Sequence, residues 1–79
     1  MAQAEQAHRD SLAIALELGI APDIAPSQEE LAAFLMRHAP ERSQREACQL
    51  LAQAQSIYHE LGQTDDADRV AQRIRAHGC

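Results

Sequence analysis

Apolar residues recur along the chain at intervals of three and four, and no stretch alternates at every second position, so the pattern predicts helices and no strands. The first predicted helix covers about residues 4–18. There Leu12, Ala13, Ile14, Ala15 and Leu16 are apolar in succession, and Gly19 supplies the stop. A short helix that is apolar on several sides is expected to bury more than one face, the extra face being given to a partner.

Pro22 and Pro26 bracket the longest predicted linker. Ser27 and Glu30 then stand at capping-box spacing, which predicts a second helix over about 28–38 with Leu31, Phe34, Leu35 and His38 facing inward and Pro40 ending it. Ser43 and Glu46 repeat the box. From them the longest helix is expected to run over about 44–61, with Ala47, Leu50, Leu51, Ala54, Ile57, Tyr58 and Leu61 on one stripe and Gly62 after it. Thr64 is placed to cap a fourth helix over about 65–77. Its first turns carry Asp65, Asp66 and Asp68, which suit the positive end of a helix dipole, and Ala67, Val70, Ala71 and Ile74 turn inward before Gly78. The expected fold is all-α, a single domain of four helices forming two antiparallel hairpins, with a closed four-helix bundle as the alternative.

A chain of 79 residues buries only about 60% of the surface exposed by its unfolded form, a thin margin that favours association. The net charge of −5, with Arg37, Arg42, Arg45, Arg69, Arg73 and Arg75 interleaved among acids, argues against nucleic acid. The first residues lack the basic start and apolar run of a secretory signal, and no apolar run is long enough to span a membrane. With two cysteines too few for a disulfide scaffold, Cys48 and Cys79 are expected to be free thiols in a reducing, cytoplasmic setting.

Candidate chemistry is sparse. His8, His38, His59 and His77 show no useful metal-ligand pairing with one another or with Cys48 and Cys79, so neither a metal nor another cofactor is expected. Asp10-Ser11-Leu12 matches the attachment motif of acyl and peptidyl carrier proteins but lies inside the first helix, where carriers mount that serine at the start of the second. No catalytic residues are expected: Ser27 and Ser43 are read as caps and the three glycines are scattered.

The two halves of the chain are similar to each other. Ile14 to Gly19 aligns with Ile57 to Gly62, and Leu31, Phe34, Leu35 and His38 correspond to Ala67, Val70, Ala71 and Ile74, the latter sets being 36 residues apart, close to the ~34-residue period of a tetratricopeptide repeat. With Ala47, Leu51 and Ala54 in a small-large-small pattern and the stretch Leu50 to Gly62 carrying most of the likeness, the chain resembles the tetratricopeptide-repeat family, and in particular the terminal repeats of bacterial multi-repeat signalling regulators. The resemblance implies helical hairpins and a non-enzymatic interaction module. It also implies a groove on the outer side of the short helices, containing Glu29, Met36, Asp65, Asp68, Gln72 and Arg75. Many repeats of that family hold a peptide carboxylate with lysine and asparagine, and this chain has neither residue.

A second contact surface is expected on the first helix, anchored by Leu12, Ile14, Leu16 and Leu18. Its occupant is a protein partner or a second copy in a homodimer, with no nucleic acid or membrane involved. The alternative is a small acidic regulator or inhibitor, antitoxin-like or phage-encoded, that blocks a macromolecular target; a carrier-like domain is the minor alternative.

Overall fold

A computed structural model describes residues 2–38 and 40–79. It contains α1 (Ala2–Leu18), α2 (Ala21–His38), α3 (Pro40–Glu60) and α4 (Thr64–Ala76), and no strand among the described residues. Each helix packs chiefly on its neighbour in sequence, α1 on α2, α2 on α3 and α3 on α4. The result is an open row of two hairpins measuring 34 × 30 × 15 Å, in which α1 and α4 do not close a ring.

The core is built from alanines set between a few leucines. Ala25, Ala32, Ala47, Ala54 and Ala67 are fully buried, and the largest fully buried side chains are Leu31, Leu35, Leu51 and Val70. Methyl side chains at these positions let the helix backbones approach closely, and the leucines fill what remains. Leu12 is the main contribution of α1 to this cluster; Ile24, Met36, Ile57 and Ile74 pack around its edge.

Two connections are tight because glycine ends the preceding helix. Gly19 (φ 66°) and Gly62 (φ 75°) hold the left-handed conformation that side chains disfavour. At the first, the Ile20 amide donates to the Ala15 carbonyl at 3.3 Å and the Gly19 amide to Leu16 at 3.2 Å; at the second, Gln63 donates to Tyr58 at 2.8 Å and Gly62 to His59 at 3.0 Å. These paired bonds are Schellman caps. The same arrangement recurs at the end of α4, where Cys79 donates to Ile74 at 3.0 Å.

That last turn carries Cys79 back to α3, where it forms a disulfide with Cys48. The expectation of two free thiols is thereby corrected. Cys48 is half-buried in the middle of α3, and the folding of α4 onto α3 brings the residue after its glycine cap within 5.6 Å, Cα to Cα. Spacing along the chain does not reveal such a meeting.

The predicted linker over residues 20–26 is also corrected, since α2 starts at Ala21 and runs through Pro26. The Ile20 carbonyl accepts from Asp23 and Ile24, which makes Ile20 the cap residue. Pro22 then falls where an amide would have no partner in any case. Pro26 deprives the exposed Pro22 of one donor, a local cost outweighed by burial of Ala25 and Ile24. Ser27 and Ser43 consequently lie inside helices and cap neither. Thr64 is the first residue of α4 and Gln63 is its cap position, with no side-chain capping bond. His38 and Leu61, expected to face inward, are exposed, and the burial expected on several sides of α1 is limited to Leu12 and Ala15.

Candidate binding surfaces

Helix α2 has an outward side with a recess on each flank. The first recess is a cleft of about 420 Å³ between α2 and α4, bordered by Glu29, Tyr58, Asp66, Arg69 and Arg73. Glu29 is buried at its base. It accepts from the Tyr58 hydroxyl at 2.9 Å and from two nitrogens of Arg69, the shorter bond being 2.7 Å, while Arg73 lies 3.8 Å away. The Arg69 guanidinium also pairs with Asp66 and lies over the Tyr58 ring, 5.7 Å from its centre.

Burial pushes the Glu29 carboxyl up, but hydrogen bonds from Arg69 and Tyr58 and the charges of Arg69 and Arg73 outweigh it and hold the group below its ordinary value. Tyr58 is pushed up to about 12, first by burial and then by the bond it donates to Glu29, which favours its neutral form. Across the row, Arg9 of α1 forms a two-pronged pair with Glu46 of α3, at 2.8 and 3.0 Å, and also bonds Glu5. The bond from Arg9 lowers the Glu46 carboxyl more than burial raises it.

A Glu29→Gln variant is expected to lose about 1–2 kcal/mol at neutral pH, because Arg69 keeps its pair with Asp66 and both arginines are half-exposed, so water compensates the lost bonds in part. Glu29 titrates lower in the folded protein than in the unfolded chain. Its stabilising contribution is therefore complete at neutral pH, begins to fall near pH 4.5 and vanishes as pH drops through the lower folded value. Tyr58 has the opposite sign: its contribution is complete below pH 10 and is lost as pH rises through about 12. The chain has one tyrosine and no tryptophan, so an ultraviolet absorbance titration reads this group alone. The midpoint is expected near 12 in the native protein and lower in Glu29→Gln, where burial still keeps it raised.

The second recess is a groove of about 350 Å³ between α1 and α2. Ile14, Leu18 and Pro26 are its apolar walls and Ala15 lies at its base, while Ser11, Asp23 and Ser27 supply polar edges. Ile14 is 57% exposed and Leu18 65%. Leu16, 54% exposed, lies on the opposite flank of α1, and Ile20, 40% exposed, follows the glycine.

The structure divides the sequence-predicted residues. Of the α1 anchors, Ile14, Leu16 and Leu18 are exposed, whereas Leu12 belongs to the core. Of the groove set, Glu29 sits in the α2–α4 cleft and Met36 is half-buried in a smaller pocket beside Arg37, Arg73 and His77. Asp65, Asp68, Gln72 and Arg75 are exposed and lie outside the lining of the α2–α4 cleft; Asp66, Arg69 and Arg73 border it instead. The inner face of α4 has two flanks, residues 66, 69 and 73 on one side and 68, 72 and 75 on the other. Which flank meets α2 is a matter of tertiary packing. The pairing of one buried glutamate with two arginines a helical turn apart is the signal that points to the correct flank.

No family model, curated protein or solved structure matches the chain. The surfaces therefore speak through their own chemistry. The cleft is spanned by the ion pairs of Glu29 with Arg69 and Arg73, while the α1–α2 groove presents exposed apolar area.

Proposed function

We propose that the chain is a non-enzymatic protein-interaction module of helical hairpins, tetratricopeptide-like in design, that docks a protein through the outer side of α1. One observation carries the reading. A helix that packs chiefly on α2 leaves Ile14 and Leu18, which line one groove, more than half exposed, in a chain too small to tolerate wasted apolar surface. The buried ionisable groups Glu29 and Tyr58 are committed to holding α2, α3 and α4 together, which supports a structural role for them. The joined cysteines favour an oxidising setting over the cytoplasmic one, since such bonds persist where thiols are not kept reduced.

The test is selection of a displayed peptide library on the native protein, with counter-selection on the Ile14→Gln/Leu18→Gln double variant. Both positions are exposed and glutamine is a good helix former, so the variant is expected to melt within about 0.5 kcal/mol of the native protein. Peptides that bind the native chain and not the variant are expected. Enrichment of none, or of peptides that bind both equally, contradicts docking on α1.

A further inference from the structure

We propose that the α1–α2 groove receives an amphipathic helix of a different protein, one whose apolar ridge is bordered by lysine or arginine. This deepens the reading of α1 as a docking surface and rests on it. The shape of the site argues for a helix. Ala4, Ala7, Ser11, Ile14 and Leu18 recur at alternating steps of three and four, the seam to which a second helix packs. The seam tapers in side-chain size. Small residues at its start admit a close backbone approach, and Ile14 and Leu18 line the groove with Pro26 at its end.

The charge around the seam identifies the occupant. Asp10 and Glu17 each stand next to a seam residue on α1, and Asp23 lines the groove from α2; all three are exposed. The one arginine of α1, Arg9, is turned to the other flank, where Glu5 and Glu46 hold it. Arg69 and Arg73 are engaged with Glu29 across the other recess. Among the described residues Asp23 is the one charged group lining the groove, Asp10 and Glu17 flank the seam on α1, and Arg9, Arg69 and Arg73 are all engaged elsewhere. A second copy fits poorly: an antiparallel pairing centred on Ser11 sets Asp10 against its equivalent and joins two chains each of net charge −5. Basic borders on the incoming helix complement these edges and speed its approach.

Two labelled synthetic helices test this, sharing leucines at i, i+3, i+4 and i+7, one flanked by lysines and the other by glutamates. Binding to the native protein is followed by fluorescence anisotropy, and light scattering of the protein alone gives its mass on dilution. The lysine helix is expected to bind at least about tenfold tighter than the glutamate helix and to weaken several-fold between about 50 and 500 mM salt. Ile14→Gln/Leu18→Gln is expected to abolish binding, and Glu17→Gln/Asp23→Asn to reduce the salt dependence while leaving weaker binding in place. Equal affinity for both helices overturns the basic-partner assignment and leaves docking on α1 standing. A dimer abolished by Ile14→Gln/Leu18→Gln identifies a second copy as the occupant and also overturns the assignment. Binding of the lysine helix unchanged in that variant, or absent altogether from a monomeric, folded native chain, overturns both. Circular dichroism of each variant establishes that it is folded.

Discussion

Leu51→Ala is expected to lower the melting temperature by more than about 10 °C, from a loss of about 2–5 kcal/mol. Leu51 is fully buried on α3, the helix that packs against both α2 and α4. The truncation removes apolar contacts and leaves a void. The alanine-lined surroundings can collapse only by moving whole backbones, because Ala25, Ala32, Ala47, Ala54 and Ala67 have no side-chain reach with which to fill it. For a domain of this length the total stability is of the order of 4–12 kcal/mol, so the variant forfeits a large part of it. Ile14→Ala, also an aliphatic truncation but at a position 57% exposed, is expected to cost less than about 1 kcal/mol. Thermal melting by circular dichroism of the two variants side by side checks the assignment of α3 as the centre of the core. Equal effects would contradict it.

Reduction of the Cys48–Cys79 bond is expected to cost about 3–4 kcal/mol, the loop-closure entropy returned to an unfolded chain when a separation of 31 residues is no longer bridged. The bond joins α3 to the turn after α4, the helix with the fewest buried residues among those flanking α3. The loss should therefore be felt first as fraying of α4. Melts with and without a dithiol reductant are expected to differ by more than about 10 °C, and Cys48→Ser is expected to resemble the reduced protein. A thiol-alkylating reagent should leave the untreated native protein unmodified and label it after reduction. Immediate labelling without reductant, or identical melts, would contradict the bond.

The outline of the fold was legible because apolar period and glycine placement are local signals. Gly19 and Gly62 end α1 and α3 at the predicted places, and the stripe from Ala47 to Tyr58 is buried as its spacing requires. The prolines and serines misled, because a capping box or a proline marks a helix start only where tertiary packing does not extend the helix past it. Burial of Ala25 draws α2 seven residues earlier than the box at Ser27 suggests, beginning it at Ala21 instead of Gln28. The exposed apolar side of α1 was legible as an excess of large aliphatics for so short a helix. Which of them is spare was not, since Leu12 and Leu16 differ by one turn and only packing assigns one to the core. The disulfide and the Glu29 network join residues far apart in the chain, and composition carries no trace of their meeting.

Mapping the lysine-flanked helix onto the ¹⁵N-labelled native protein by amide chemical shifts tests most directly the claim that α1 is the docking surface. Shifts confined to the residues of α1 and the start of α2, strongest around Ile14, Leu18 and Asp23, are the predicted result. Shifts centred on Glu29, Tyr58 and Arg69, with α1 silent, would contradict it and place binding in the α2–α4 cleft.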